Sequence, residues 1–156
     1  MIPEAELVRK EIILRKMDFP ESVALTKNSL MRWCCLSLGL ISPKETRNMA
    51  FIAFDALFTF IFTKKQSPTT LEIQDYIKQK KNITMSEKLI RYHLNRLIEL
   101  NIIQRKKNSY SINPSPSSEK RNSLKESFNA WVKKETESQL EETARALELL
   151  QKAYEK

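Results

Sequence analysis

The stretch that decides the fold of this chain runs from Ser86 to Asn101 and reads SEKLIRYHLNRLIELN. Its first residue is a good helix N-cap, because a serine hydroxyl can accept a hydrogen bond from a backbone N–H of the first turn. The apolar residues then recur at helical spacing, at Ile90, Leu94, Leu97 and Ile98. Asn101 is one of the few residues besides Gly that tolerates the left-handed backbone that ends many helices. The stretch therefore predicts an amphipathic helix from about Glu87 to Leu100 with one buried face.

A second helix is predicted before this stretch and a β-hairpin after it. The run Thr69-Thr70-Leu71-Glu72 has the pattern of a capping box, in which the Thr hydroxyl and the Glu carboxylate each accept a backbone N–H. The helix that it opens is expected to run to about Lys80. After the second helix, the β-prone runs Ile102–Arg105 and Tyr110–Ile112 flank the polar turn Lys106–Ser109. The segment thus predicts helix, helix and hairpin.

Two runs in this segment, IRYHL at 90–94 and RLIELNII at 96–103, resemble the recognition helix and first wing strand of winged helix-turn-helix transcriptional regulators. The ArsR-like and MarR-like families are the nearest in pattern. The resemblance covers roughly Ser42 to Asn113, and Asn101 takes the place of the usual Gly. It implies a mostly α fold, a winged helix-turn-helix with a small β-hairpin wing and extra N- and C-terminal helices. No metal-site cysteines match the metal-sensing branch, so no metal is expected.

The positive charge of the chain is concentrated in the same segment. The whole chain of 156 residues has a formal net charge of +8. Residues 64–113 hold eleven Lys or Arg and four Asp or Glu, a net charge of +7, whereas the flanking segments are nearly neutral. Clustered Lys and Arg side chains attract phosphates and release their counterions. The charge pattern predicts a polyanionic partner, and the resemblance makes that partner double-stranded DNA.

Polar side chains on the helix after Ser86 are the candidates for base contacts. Arg91, Tyr92 and Asn95 share the face opposite the apolar stripe, and Arg and Asn can pair bidentately with guanine and adenine. The remaining candidates are expected at phosphates or in a minor groove. They are Lys88 and Arg96 on the same helix, Arg105, Lys106 and Lys107 at the hairpin, and Thr69 and Thr70 through backbone amides at a helix N-terminus.

Each of these residues also has a plainer explanation, because Lys/Arg runs on helices are usually solvated faces. Two alternative functions stay open: a winged-helix protein-interaction module within a larger nucleic-acid machine, and sequence-independent chromatin or RNA binding. His93, the single histidine, is expected to pair with a backbone group beside the core. One Gly cannot make a Gly-rich phosphate loop, and no Cys/His metal spacing or activated nucleophile is present. No enzymatic activity and no cofactor are therefore expected.

The N-terminal part of the chain is expected to be helical. Residues 1–41 are predicted to form a helical extension, with one helix from about Glu4 to Met17 and another from Asn28 or Ser29 to Leu38. The winged-helix domain, residues 42–113, is predicted to open with a capping box at Ser42–Glu45 and a helix that runs to about Lys64. This helix carries a row of phenylalanines that can fill the central core.

The C-terminal part is expected to pair with a second copy of the chain. Residues 114–118, rich in Pro and Ser, are predicted to be a linker, and residues 119–156 to be one helix. Its Leu140, Leu147 and Tyr154 are spaced by seven, and Leu150 lies three residues after Leu147, which is heptad-like. A solitary helix gains little without a buried face. A homodimer is therefore favoured over a helix that folds back on its own domain.

Sequence features also favour a cytoplasmic protein without a membrane partner. Cys34 and Cys35 are adjacent, and two neighbouring cysteines provide no disulfide framework. The amino terminus lacks the basic and apolar regions of a signal peptide. The apolar run Met49–Phe62 is shorter than a bilayer requires and contains Asp55, so it is expected to be a core helix.

Overall fold

The computed structural model describes residues 1–45 and 49–156, and most of this part of the chain is helical. The helices are α1 (Lys27–Ser37), α2 (Met49–Phe58), α3 (Thr70–Lys81), α4 (Glu87–Glu99), α5 (Leu124–Phe128) and α6 (Lys134–Glu155). A π-helical turn, Thr59–Thr63, extends α2, and a second one, Asn129–Lys133, joins α5 to α6. Short 3₁₀ turns occupy Pro3–Leu7 and Glu21–Leu25.

Two short strands complete the secondary structure. β1 (Ile103–Lys106) and β2 (Ser109–Ile112) form an antiparallel hairpin, with Ile103 opposite Ile112. The two residues between the strands, Lys107 and Asn108, have φ angles of 51° and 68°. A two-residue hairpin turn favours left-handed backbone at both central residues, because the twist of such a turn matches the twist of the strands.

The hydrophobic core lies where α2, α3, α4 and the hairpin meet, since α2 packs on both α3 and α4 and α4 packs on β1. Each element contributes side chains that are almost completely buried. They include Phe54 and Leu57 from α2, Ile73 and Ile77 from α3, Ile90 and Leu94 from α4, and Ile103 and Tyr110 from the hairpin. Burying one such side chain contributes about 1.5–3 kcal/mol, so this cluster fixes the positions of α4 and the hairpin relative to each other.

The predicted signals at the ends of α3 and α4 are confirmed. The Thr69 hydroxyl accepts the N–H of Glu72 at 3.2 Å, and the Glu72 carboxylate accepts the N–H of Thr69 at 3.0 Å, which completes the capping box. Ser86 caps α4 by accepting the N–H of Leu89 at 3.1 Å. Asn101, just beyond α4, has a φ of 64°. Local side-chain chemistry therefore sets the limits of both helices.

The N-terminal segment departs from the prediction of a helix from about Glu4 to Met17. After the 3₁₀ turn at Pro3–Leu7, residues 8–20 have no regular secondary structure. Several β-branched residues in this stretch weaken its helix propensity. We call residues 3–20 the N-terminal arm.

Tertiary contacts of Arg15 explain why the arm is extended. Its backbone N–H donates to the carbonyl of Ser37 at 2.9 Å. Its guanidinium donates to the carbonyls of Leu36 and Ile41 at 2.7 and 2.9 Å. The Leu36 and Ser37 carbonyls lie in the last turn of α1, and the Ile41 carbonyl lies four residues after it. The arm satisfies these carbonyls in place of forming its own helical hydrogen bonds.

Helix α1 begins slightly earlier than predicted. Its N-cap is Thr26, whose hydroxyl accepts the N–H of Ser29 at 3.0 Å, rather than Asn28 or Ser29 itself. The helix ends at Ser37, and Gly39 follows with a φ of 68°, as a helix-stopping glycine requires.

The predicted helix from Ser42 to about Lys64 is seen in part. One of the two hydrogen bonds of its capping box is present, from the N–H of Ser42 to Glu45 Oε2 at 3.2 Å. Pro43 and Lys44, predicted to lie in the first helical turn, form a non-helical turn instead. Residues 46–48, the next part of the predicted helix, lie outside the described residues. From Met49 the chain is helical, and the π-helical turn ends at Thr63, close to the predicted end.

The C-terminal helix begins five residues later than the predicted start at Glu119. Its N-cap is Ser123, whose hydroxyl accepts the N–H of Glu126 at 3.1 Å. This strong local cap lies beyond the Pro- and Ser-rich bend, which explains the later start. Helix α5 and the π-helical turn after it are anchored, because Ser127 and Val132 are buried in the domain. Across residues 1–45 and 49–156, no helix is long and apolar enough to cross a membrane.

Candidate nucleic-acid interface

Helix α4 presents four of the predicted site residues on one exposed face. Lys88, Arg91, Tyr92 and Asn95 are all exposed, and their spacing of three, one and three places them on the same side of the helix. The opposite side carries Ile90, Leu94 and Leu97, which are at most 3% exposed. The core therefore sets the rotation of α4 about its axis and directs this polar face to solvent.

Two acidic residues also lie on α4 and contact the candidate base-reading side chains. Arg91 Nη2 is 3.3 Å from Glu87 Oε1, and Asn95 Nδ2 donates to Glu99 Oε1 at 3.3 Å. Exposed pairs of this kind contribute about 0–1 kcal/mol, so a ligand can displace them. Glu87 and Glu99 are not among the predicted site residues, although their spacing of four from Arg91 and Asn95 is the signal that reveals them.

Tyr92 is 60% exposed, and its ring packs edge-on against His93 at a centroid distance of 5.2 Å. The prediction that His93 pairs with a backbone group is wrong. Neither of its buried ring nitrogens has a hydrogen-bond partner among the residues that the structure describes. Burial lowers the pKa of His93 below its ordinary value of 6.5, and the nearby Arg96 lowers it further, while Glu45 opposes the shift.

Arg96 does not share the exposed face of α4. Its Nη1 donates to the carbonyl of Leu40 at 2.6 Å, and its Nη2 donates to the carbonyl of Gly39 at 2.7 Å. Both partners lie in the turn after α1, so the guanidinium joins α4 to the N-terminal part of the chain. The predicted phosphate contact of Arg96 therefore competes with two charge-assisted hydrogen bonds inside the protein, and we assign Arg96 a structural role.

The hairpin presents three further predicted site residues. Arg105, Lys106 and Lys107 are exposed at and beside its turn. The guanidinium carbon of Arg105 lies 5.4 Å from the centroid of the Tyr110 ring, so this cation stacks over the hairpin. Lys106 and Lys107 are on the turn side, and the left-handed turn residue Asn108 follows them.

The hairpin is also attached to the start of α3. The backbone N–H of Tyr110 donates to the carbonyl of Pro68 at 2.8 Å, and Thr69 forms an antiparallel bridge with Ser109. Inside this joint, the hydroxyls of Thr70 and Tyr110 are hydrogen-bonded at 3.0 Å. The basic hairpin is therefore held by the same domain that positions α4.

These contacts change the expected roles of Thr69 and Thr70. The Thr69 hydroxyl and N–H are both used in the capping box with Glu72. Thr70 is 3% exposed and bonds Tyr110. The Glu72 carboxylate also places a negative charge at the same helix N-terminus. The local geometry therefore favours a structural role for both threonines over the predicted phosphate contact.

Of the ten predicted site residues, seven therefore remain exposed for a ligand, four on α4 and three on the hairpin. Comparisons with protein-family models, with curated proteins and with solved structures found no match to this chain.

Proposed function

We propose that this chain is a winged helix-turn-helix protein that binds double-stranded DNA sequence-specifically as a homodimer and regulates transcription. The observation that carries the proposal is the exposed face of α4, on which Lys88, Arg91, Tyr92 and Asn95 stand together. This helix is the second of a capped pair, and a basic hairpin follows it directly. In a helix-turn-helix, the second helix lies in the major groove and its outward side chains meet base edges.

The proposal assigns different roles to the two exposed elements. Arg91 and Asn95 carry the groups that pair with guanine and adenine. On binding, their contacts with Glu87 and Glu99 break and contacts with bases take their place. Lys88 and the hairpin residues Lys106 and Lys107 contact phosphates, which supplies affinity without sequence preference. The net charge of +7 over residues 64–113 supports this division, because most of it lies on these elements or beside them.

One observation favours a second candidate, a protein-interaction module within a larger nucleic-acid machine. Glu87 and Glu99 give the surface of α4 a mixed charge, which suits a protein surface with its own Lys and Arg residues. Sequence-independent binding to chromatin or RNA is the third candidate, and it rests on the basic hairpin alone.

Selection of bound sites from a pool of random duplexes, with the full-length protein, tests the proposal. We expect one enriched motif with two inverted half-sites about 34 Å apart, one turn of the double helix. Salt-dependent binding without an enriched motif would favour sequence-independent binding. Absence of binding to any duplex at low salt would favour the protein-interaction module.

A matched pair of variants makes this selection specific to α4. Arg91→Ala removes a cation from the exposed face of α4, and Arg121→Ala removes one from an exposed turn before α5. We expect the first variant to lose preference at one or two positions of the enriched motif. The second should return the motif of the unmodified protein, because Arg121 lies outside the proposed interface.

A further inference from the structure

Helix α6 carries an apolar stripe that its own chain does not cover. None of the residues of α6, all of which the structure describes, is buried. Leu140, Leu147, Leu150 and Tyr154 are 64%, 60%, 54% and 84% exposed. Leu140, Leu147 and Tyr154 occupy heptad position a. Position d is occupied by Thr136, Thr143 and Leu150. Most of the stability of a helix in a protein comes from packing of its apolar face, so we expect another surface to cover this stripe.

A groove lies beside the first half of the same helix. It has a volume of about 900 Å³ and runs between α6 and the N-terminal arm. Leu7, Val8 and Ile12 line it on the arm side, and Thr136 and Leu140 line it on the helix side. Leu7 and Val8 are 70% and 63% exposed, so the groove adds apolar surface next to the stripe.

We propose that a second copy of this chain covers both the stripe and the groove. The two α6 helices pair in antiparallel orientation, and Tyr154 of each copy lies beside the groove of the other. The inference rests on the homodimer of the proposed function and specifies its interface. Antiparallel pairing brings the exposed C-terminal half of one α6 onto the grooved N-terminal half of the other. Parallel pairing would leave both grooves open.

The sequence of the stripe fixes the register. In antiparallel pairs, a positions pack against d positions of the other helix. One register covers the stripe completely, and it places Tyr154 against Thr136, Leu150 against Leu140, and Leu147 against Thr143. Two of these three kinds of layer combine a large residue with a small one, as close packing prefers. Parallel pairing would instead place threonine on threonine and tyrosine on tyrosine.

The residues that flank the stripe allow the same approach. In this register, Ala144 meets Ala144 of the second copy on one side, and Ala146 meets its own equivalent on the other. Small residues at the centre let the helices come close. Farther out, Glu137 faces Gln151, and Gln139 faces Ala153, so no like charges oppose each other. In this register the α6 surface therefore meets its own copy without charge repulsion and with room for close packing.

Amine cross-linking of the unmodified full-length protein tests the orientation. Equal amounts of ¹⁴N- and ¹⁵N-labelled protein are mixed, exchanged and treated with a short reagent. Lys134 and Lys156 of one copy are about 33 Å apart along α6, at ~1.5 Å per residue, which is beyond the reach of such a reagent. In the proposed register they lie at the same level along the paired helices, so the reagent can join them across the two copies.

A mixed-isotope link between Lys134 and Lys156 is the expected result. Links between two copies of Lys156, without the Lys134–Lys156 link, would show parallel pairing and overturn the inference. A dimer in sedimentation that yields neither link would overturn it as well, while leaving the homodimer intact. A monomer at micromolar concentration would overturn both the inference and the homodimer, although DNA binding is measured separately.

A pair of arm variants tests the groove. Val8→Asp places a charge in the groove, and Leu25→Asp places one on a residue that is 79% exposed and far from it in sequence. We expect the dimer dissociation constant to rise at least tenfold for Val8→Asp and to stay unchanged for Leu25→Asp. Equal constants for both variants would show that the arm takes no part in the interface.

Discussion

Helices α4 and α6 are both amphipathic, but the apolar stripe of α4 is buried and that of α6 is exposed. In α4 the apolar stripe is covered by the chain itself, and Ile90 and Leu94 are completely buried. In α6 the apolar stripe is exposed along 22 residues. Both stripes are equally visible in the sequence. Helical periodicity therefore shows that an apolar face must be covered, but it does not show whether the same chain or another molecule covers it.

The comparison predicts different costs for the same substitution in the two helices. Leu94→Ala should lower the free energy of unfolding by about 2–5 kcal/mol, because it leaves a cavity in a closed core. Leu147→Ala should leave the unfolding of a dilute, monomeric sample nearly unchanged, since its side chain is 60% exposed there. Urea denaturation of both variants at low protein concentration measures the difference. Equal losses would mean that α6 packs on its own domain.

Truncation separates the anchored start of the C-terminal helix from its exposed remainder. Deleting residues 134–156 should give a folded monomer, because only exposed residues of α6 are lost. Its affinity for a two-half-site duplex should fall by about 10²–10⁴, since two linked contacts become one.

Deleting everything after Ser118 is the contrasting variant. It removes the buried Val132 and Ser127, and with them the hydrogen bond from Ser127 Oγ to the Ile102 carbonyl, so the domain itself should lose stability. Sedimentation and thermal unfolding of both proteins check these outcomes. A shorter truncation that remains dimeric would move the interface away from α6.

The hairpin should contribute affinity without sequence preference. Replacing Arg105, Lys106 and Lys107 with Ala should weaken binding to all duplexes by similar factors. Each lost phosphate contact should reduce the slope of log K against log salt by about 0.9. Titrations at several salt concentrations measure this slope. An unchanged slope would show that the hairpin lies away from the DNA backbone.

The smallest expected effect concerns pH and His93. Since the pKa of His93 in the folded protein is below its ordinary value of 6.5, the folded state resists protonation. This contribution to stability is complete above pH 6.5 and is lost as the pH falls through the lowered pKa. His93→Gln cannot be protonated, so its unfolding midpoint should fall less between pH 7 and pH 5. Parallel midpoints for both proteins would assign the acid sensitivity to other groups.

The parts of the fold that were predictable from the sequence are those set by neighbouring residues. Thr69, Ser86 and Asn101 act within one helical turn, and each was identified from its neighbours in the sequence. The two hydrogen bonds of Arg96 join residues 56 and 57 positions apart, so no local pattern could reveal them. The extended arm depends in the same way on distant carbonyls that Arg15 satisfies.

In the candidate site too, local features were predictable from the sequence and features that depend on distant contacts were not. The exposed positions of Arg91 and Asn95 followed from helical periodicity, because a buried stripe defines its opposite face. The burial of Thr70 did not, because it depends on the hydroxyl of Tyr110, forty residues away. A site on one helix face can therefore be read from sequence, whereas a site that depends on how two elements meet cannot.

Whether the exposed face of α4 reads bases is decided by the ratio of two affinities. The dissociation constants of the unmodified protein and of Arg91→Ala are measured on the selected duplex and on a random duplex at the same salt concentration. We expect the variant to lose about 1–3 kcal/mol on the selected duplex and much less on the random one. Equal losses on both duplexes would make Arg91 a phosphate contact and contradict the account.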